Sequence, residues 1–510
     1  MSKLSSFGGL LVFAICVPMA LVLGYLLATP QDPTSLIWIG LSLFLLSLPI
    51  LLKWHHEALI ITWNASLVAF FLPGAPTVGF LVGGLSLLIA AAKRALLQEG
   101  NLIHCPSVSF PLVLLAAIVL LTAHETGGIH ARTLGSDAWG AMRYFQVLGA
   151  IAGYFAFASQ PIAPNRAKLM AALFFLSGVT SALPVLVELA GPGLASLLVV
   201  FGKTSIVATE STIYSLDLQR FIGLTFMSQA VCWLMMLRFG IRGILDLQRP
   251  WRFMTFAFMV VLGLLGGFRS FLLLLGVVSL VQFYFEGLFR TRVFVWFSLA
   301  GILGGTLLFA FADKLPGPVQ RSISFLPVQI DPAIRRDATG TLDWRLEMWR
   351  ETLPIVPRYL MLGKGYNFDG TDFFLTTLSA QRGIARSYEA AMISSDYHQG
   401  ILTLIIPFGI WGVLAFLAFC MASLRVLYRN YRYSPPELRL INTFLLSYFT
   451  GRLLFYLIFY GEFDLDLMLF TGVMGMSLSL NGGMRQKQAA TVPAPVESIE
   501  DWRLQPGLQA

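Results

Sequence analysis

The chain has 510 residues, of which 56% are hydrophobic and only 12% are charged. Soluble globular proteins carry about twice that share of charged residues, so the composition excludes an ordinary soluble protein. The formal net charge of +8 would suit nucleic-acid binding, but the mean hydropathy of +0.74 indicates a membrane protein.

Apolar segments long enough to cross a bilayer recur from Leu10 to Leu480. Backbone groups in lipid must be satisfied within the spanning structure, and long apolar runs without alternation predict helices rather than barrel strands. We predict an all-α polytopic integral membrane protein with about 14 transmembrane helices, or about 12 if the short segments near Pro73 and Gly267 do not span. In chain order the predicted helices are 8–28 (an uncleaved helix rather than a signal peptide), 35–52, 57–72, 77–92, 109–123, 142–159, 168–190, 220–239, 253–267, 270–288, 293–312, 399–424, 440–460 and 464–480.

These helices divide the chain into four parts. The predicted parts are an N-terminal transmembrane bundle of about 11 helices (1–312), a long external loop between helices 11 and 12 (313–398), the C-terminal transmembrane helices (399–480) and a disordered cytoplasmic tail (481–510). Within the loop, Leu342, Leu346, Trp349 and Leu353 recur at helical spacing, which predicts an amphipathic helix near 341–353.

Basic residues are concentrated in alternate connections. The basic set is Lys53, Lys93, Arg94, Arg166, Lys168, Arg238, Arg242, Arg249, Arg252, Arg290, Arg292, Arg425, Arg429, Arg432 and Arg439, together with both tails. Because basic loops stay in the cytoplasm, this pattern predicts that both termini are cytoplasmic and that the 313–398 loop is external. Orientation accounts for most of the net positive charge, so we predict no nucleic-acid partner.

Polar side chains gather at the predicted outer ends of three helices. His398 directly precedes an apolar helix, Arg269 lies in the short turn "LLGGFRSFLLLL", and Arg220 opens "RFIGLTFMSQA". The external loop adds basic side chains that can approach them, namely Arg345, Arg350, Lys364 and Arg386. Arginine forks bind phosphate oxygens, and a histidine can remove a proton from an attacking hydroxyl. The set therefore suits a lipid-linked pyrophosphate at headgroup depth.

Four stretches together resemble the O-antigen ligase and Wzy-type O-antigen polymerase superfamily. They are "RFIGLTF", "GGFRSFLLLL", "DWRLEMWRETLPIVPRYLMLGKGYNF" and "SSDYHQGILTLIIPFGIWGVLAFL". The first two hundred residues are similar to that superfamily only as a hydrophobic bundle. Gln399 stands where the superfamily commonly has asparagine, a departure that bears on the acceptor more than on the chemistry.

The resemblance implies a GT-C-like, metal-independent membrane glycosyltransferase without a cofactor, in a bacterial inner membrane with a periplasmic active site. It implies a donor glycan on undecaprenyl diphosphate, surrounded by membrane lipids. His398 would activate the acceptor hydroxyl, and Arg220 and Arg269 would engage the diphosphate. The acceptor would be a lipid A core (ligase), another glycan (polymerase) or a protein hydroxyl (O-oligosaccharyltransferase), and the sequence leaves these three open.

Each assignment has a structural alternative. His398 can anchor its helix at the interface, Arg269 can snorkel to headgroups, and Arg345 and Arg350 can form the solvated face of an amphipathic helix. A charge in the tight turn of Arg269 is costly unless it is used, which favours function there. The rival classes are a lipid-linked-glycan flippase, which needs polar groups spread through the bundle, and a structural scaffold.

Arg452 lies in the middle of an apolar helix, where ionised groups usually pair. We predict a partner among Glu462, Asp464 and Asp466 at the next outer turn. The "DLD" of Asp464 to Asp466 is interpreted as helix-end charge, and no metal site is predicted.

Overall fold

In a computed structural model, the described residues are 33–72, 74–98, 103–127, 138–201, 208–211 and 217–486, with a few isolated positions before residue 33. Within these ranges the chain is almost wholly helical, and two short antiparallel pairings, β1 (Ala138–Trp139) with β4 (Phe368–Asp369) and β2 (Ala208–Ser211) with β3 (Asp217–Arg220), are its strands. The predicted all-α class is thereby confirmed. The predicted helix 8–28 lies almost entirely outside the described residues, as does the predicted tail after Gln486.

The described helices are α1 (Pro33–Thr62), α2 (Val78–Leu97), α3 (Pro106–Thr126), α4 (Ala141–Phe157), α5 (Pro164–Leu176), α6 (Leu183–Leu189), α7 (Ile222–Ile244), α8 (Pro250–Leu264), α9 (Arg269–Phe285), α10 (Arg292–Phe311), α11 (Gly317–Ile323), α12 (Pro332–Thr352), α13 (Val356–Tyr359), α14 (Gly370–Gln381), α15 (Glu389–Ile393), α16 (Leu402–Arg432), α17 (Arg439–Ile458) and α18 (Phe463–Asn481). In this part of the chain, nine helical segments are long and apolar enough to cross a membrane, and α8 and α9 are shorter apolar helices. The protein is therefore a multi-pass membrane protein.

The separate helix predicted at 57–72 is wrong. α1 breaks at Trp54 (φ −119°, ψ 34°) and continues only to Thr62, after which the backbone is irregular. Side chains of this irregular segment form hydrogen bonds with distant helices. The Trp63 indole donates to the Met468 carbonyl (3.1 Å), and the Asn64 amide donates to the Phe174 carbonyl (2.8 Å). The buried Trp63 ring thus ties this segment to α18.

Five helices, α7, α8, α9, α16 and α17, form a bundle in which the helix ends meet at two opposite levels. At one end, the Phe221 N–H before α7 donates to Leu265 O after α8 (3.2 Å), and α9 starts just beyond. At the other end, the Tyr431 hydroxyl of α16 donates to Phe285 O at the end of α9 (3.1 Å). A helix of twenty residues spans about 30 Å, so whatever lies at one end is separated from the other by roughly the thickness of a bilayer.

Residues 313–398 form a largely helical cap, from α11 to α15, rather than an open loop. The helix predicted near 341–353 is the second half of α12. The cap is fastened to a break in α16 that Gly409 (φ +65°) marks. Lys364 N donates to Ile406 O (2.7 Å), and Gly365 N donates to Pro407 O (3.0 Å). Carbonyl groups freed by the break thus find donors in the cap.

This fastening predicts different effects for two glycine substitutions in the cap. Gly363 (φ +77°) and Gly383 (φ +72°) have the same backbone conformation, but an added Cβ lies 2.2 Å from Pro407 O at Gly363 and meets nothing within 4 Å at Gly383. An alanine at positive φ costs on the order of 1 kcal/mol at either position, and the clash adds about 1–3 kcal/mol. Gly363→Ala should therefore lower the thermal midpoint in detergent and expose the cap to protease far more than Gly383→Ala. Equal effects would contradict the fastening.

Candidate functional site

His398 lies between two carboxylates. Its Nδ1 is 3.1 Å from Asp396 Oδ1 and 3.5 Å from Glu462 Oε1. Asp396 belongs to the same segment of the cap, whereas Glu462 precedes α18 and accepts a hydrogen bond from the Tyr460 hydroxyl. The site therefore joins the end of the cap to the connection between α17 and α18. Nδ1 therefore faces the carboxylates, and we expect Nε2 to be the nitrogen that meets a ligand.

Two aromatic rings fix the plane of the imidazole. The Tyr460 ring stacks on His398 with centroids 5.5 Å apart and planes 22° apart. The Trp344 ring of α12 lies 5.4 Å away at a tilt. Stacked rings hold the imidazole rigidly and also present apolar faces of the kind on which a sugar ring can pack. About a fifth (22%) of the His398 side chain stays exposed.

The backbone that carries His398 is strained and is held by side chains from three other segments. His398 has φ +51°, and Ser395 has φ +61°. The Lys364 ammonium donates to Met392 O (3.2 Å) and Ile393 O (3.1 Å). Two further carbonyls of the segment accept from the Arg143 guanidinium (Ser394 O, 2.6 Å) and the Trp349 indole (Tyr397 O, 2.8 Å). Strained residues of this kind persist only where the surroundings overdetermine them, and they cluster at functional sites.

The carboxylates keep a proton on the imidazole. Burial lowers the pKa of His398, but Asp396 and Glu462 raise it more, so that it reaches about 9. Burial in turn raises the pKa of the Asp396 carboxyl, and the contact with His398 outweighs this and lowers it. At neutral pH, the resting site therefore holds an imidazolium between carboxylates.

Arg345 lies against the aromatic side of this group. Its guanidinium lies 5.3 Å from the centre of the Tyr460 ring, which itself stacks on His398. Its Nε is buried without a hydrogen-bond partner. Burial and Arg321 lower the pKa of Arg345, although Tyr460, Asp396 and Glu462 raise it. A partly buried guanidinium with a buried, unused donor is suited to bind an anion.

A second basic group surrounds the turn before α9. Arg321 of α11 donates to Gly267 O (3.0 Å) and pairs with Asp337 of α12 (2.7 Å). Arg269, the first residue of α9, is close enough to Arg321 and Arg345 to be repelled by both, and Asp337 partly offsets this. Arg345 therefore connects the histidine to the basic turn.

The remaining predicted site residues have other surroundings. Arg220 is buried (4% exposed), and its Nε donates to Gly266 O (3.0 Å), so it positions the turn. Lys364 positions the segment before His398. Arg350 is exposed on α12, about 140° around the helix from Arg345. Direct contact of these three with a diphosphate stays a prediction.

Several residues of the site carried no predicted role. They are Asp396, Trp344, Arg143, Arg321, Asp337 and Tyr460, and Glu462 was considered only as a partner of Arg452. The structure gives that partnership to Asp466, whose Oδ1 accepts from Arg452 Nε (2.8 Å). Asp466 Oδ2 accepts from the Glu462 N–H (2.9 Å). The buried pair thus holds the backbone of the residue that faces His398.

Among the described residues, Asp396, His398 and Glu462 form a group that could hold a metal ion. Their ligand atoms lie within 4.8 Å of one another. Two hard oxygen ligands and one imidazole suit several divalent cations. The proximity of Arg345 disfavours an added cation here, because like charges repel.

No protein-family model matches the chain, and no curated protein matches it. Its assignment therefore depends on the residues themselves.

The two carboxylates predict how His398 titrates. Neutral imidazole reacts with diethyl pyrocarbonate, so modification of His398, mapped by mass spectrometry, should rise with pH around a midpoint near 9. Asp396→Asn should move the midpoint toward the ordinary value of about 6.5, because the stabilising charge is lost. Glu437→Gln, at the other end of α17, is the control and should leave it unchanged. A wild-type midpoint near 6.5 would contradict the geometry.

Proposed function

We propose that this protein is a membrane glycosyltransferase that moves a glycan from a polyprenyl-diphosphate carrier, undecaprenyl diphosphate in a bacterial membrane, to an acceptor hydroxyl. The observation that carries the proposal is the position of Arg345, which lies against the Tyr460 ring that stacks on His398 and interacts electrostatically with Arg321 and Arg269. A proton acceptor and a diphosphate-binding group thus lie next to each other at the end of a helix bundle. The suggested membership in the O-antigen ligase superfamily is part of this proposal.

In the proposed reaction, the acceptor oxygen attacks the anomeric carbon of the donor glycan. The bond from that carbon to the diphosphate oxygen breaks, and polyprenyl diphosphate leaves. The acceptor's proton passes to His398 Nε2, while Asp396 and Glu462 stabilise the imidazolium that forms. Arg345 and Arg269 stabilise the charge that develops on the leaving diphosphate.

This role for His398 requires the neutral ring at the start of each turnover. With a pKa of about 9, roughly one site in a hundred is neutral at pH 7. A base of raised pKa is stronger but scarcer, and catalysis reflects the product of both effects. The rate should therefore increase as the pH rises toward 9, because His398 loses its proton there.

The proposal also covers orientation. Basic residues gather at the ends of α7, α9 and α16 away from His398, which supports a cytoplasmic location for that side and for both termini. The cap and His398 then lie in the periplasm of an inner membrane. A GT-C-like bundle is part of the proposal, and the described residues supply nine helices long enough to span together with the shorter apolar helices α8 and α9. Ligase, polymerase and protein O-oligosaccharyltransferase activities differ only in the acceptor.

Replacing His398 should abolish transfer without unfolding the protein. Asparagine tolerates positive φ better than alanine does, so His398→Asn removes the base and retains the backbone. Purified variants would be assayed for transfer from an undecaprenyl-diphosphate glycan, and a strain lacking the gene would be tested for surface glycan. We expect at least a hundredfold loss for His398→Asn and none for the exposed His104→Ala.

Full transfer by His398→Asn would reject the proposed base. Chelation is the companion measurement, since the proposed mechanism uses no metal at Asp396, His398 and Glu462. Inhibition by EDTA that a divalent cation restores would reassign these three residues as ligands.

Arg345→Lys and Arg350→Lys are a matched pair on α12. Each keeps the charge and removes the planar fork, but only Arg345 lies beside Tyr460. We expect Arg345→Lys to lower kcat/KM at least tenfold, because bidentate binding of the diphosphate is lost. Arg350→Lys should remain within twofold of wild type. Equal activities of the two variants would remove Arg345 from the site.

A further inference from the structure

A large cavity lies at the opposite end of the helix bundle from His398. Its volume is about 1230 Å³, and it is lined by the ends of α7 and α9, the starts of α8, α10 and α17, and Tyr431 near the end of α16. α17 starts at Arg439 beside the cavity and ends at Ile458, just before Tyr460 of the histidine site. The cavity is therefore separate from that site and has no role in the proposed reaction.

The charged residues that line the cavity have an excess of positive charge. Arg242, Arg292 and Arg439 line it together with two acids, Asp246 and Glu286, so three positive and two negative charges leave one net positive charge. The ion pairs found among the described residues involve other arginines. The cavity thus offers guanidinium donors to a bound anion.

The two acids already accept hydrogen bonds. Glu286 accepts from the main-chain N–H groups of Ile241 (2.8 Å) and Arg242 (2.9 Å), next to the break in α7 at Gly240, and from the Gln282 amide (2.7 Å). Asp246 accepts from the N–H of Gln248 (3.0 Å). Glu286 therefore serves to cap a helix break.

Two long helices begin at the cavity with arginines. Arg292 is the first residue of α10 and Arg439 the first of α17, and both line the cavity. Helix N-termini carry partial positive charge and unpaired N–H groups. Their fields add to the arginines and favour a phosphate.

Apolar aromatic side chains also line the cavity. Phe253, Trp296 and Phe297 line it, and 61% of Trp296 and 49% of Phe297 are exposed. Both belong to α10, which has none of its apolar span buried within the protein. A ligand in the cavity would therefore meet both arginines and aromatic rings of a helix face that the protein leaves exposed.

We propose that this cavity binds an anionic phospholipid. The phosphodiester would contact Arg242, Arg292 and Arg439 and neutralise the one excess charge, and an acyl chain would lie along Trp296 and Phe297. A soluble anion matches the arginines but not the aromatic wall. A zwitterionic lipid matches the wall but leaves the excess charge in place.

The test uses the full chain in a neutral detergent and native mass spectrometry to count bound lipid. We expect phosphatidylglycerol to bind more tightly than phosphatidylcholine, and inorganic phosphate not to compete with it at equal concentration. Each basic residue near an anionic lipid typically strengthens binding about five- to sixfold. The double variant Arg292→Gln/Arg439→Gln removes two such residues, so it should weaken the binding of phosphatidylglycerol about thirtyfold. The matched control Arg425→Gln/Arg432→Gln removes the same charge from α16 at residues that do not line the cavity.

Equal losses in the two double variants would show that binding follows overall charge and would overturn the site. Competition by inorganic phosphate, or equal binding of both lipids, would overturn the phospholipid assignment. Trp296→Ser removes an exposed ring rather than a buried one, and it should weaken long-chain phosphatidylglycerol more than a short-chain form. An unchanged preference for long chains would remove the aromatic wall from the proposal.

Discussion

The contact of His398 with Asp396 and Glu462 is the interaction on which the site depends. It joins the last residues of the cap to the connection between α17 and α18, two segments more than sixty residues apart in the sequence. Glu462 is itself held through its N–H by Asp466, which pairs with Arg452 inside the bundle. The ion pair in the helices and the proton on the imidazole are thus parts of one connected network.

The surroundings of this contact cost stability in ways that a substrate could relieve. His398 has an unfavourable φ, Arg345 has an unsatisfied buried donor, and Arg269 lies close to two other guanidiniums. Guanidiniums that repel one another near a partly buried site are unfavourable until an anion arrives. A diphosphate would supply that anion, which is why these features support binding rather than only structure.

The sequence predicted the parts of this protein that local patterns determine. The lengths of the apolar segments predicted most of the helices. His398 and Arg269 were predicted as site residues because they lie at helix ends, and Arg345 because it lies in the long loop that forms the cap. The helix at 57–72 failed because Trp63 and Asn64 form long-range hydrogen bonds that outweigh local propensity. Glu462 and Arg321 had no local signal, since their roles depend on contacts with His398 and the Gly267 turn that form only in the folded chain.

The central claim is that a proton held by two carboxylates must leave His398 before transfer. The most direct measurement is the pH dependence of kcat/KM for glycan transfer by the wild type and by Glu462→Gln. For the wild type, the account predicts a rise from pH 7 that is half-complete near pH 9 and levels off about one pH unit higher. For the variant, the rise should be half-complete at a lower pH. A wild-type rate that stays level or falls over that range, with the variant unchanged, would contradict it.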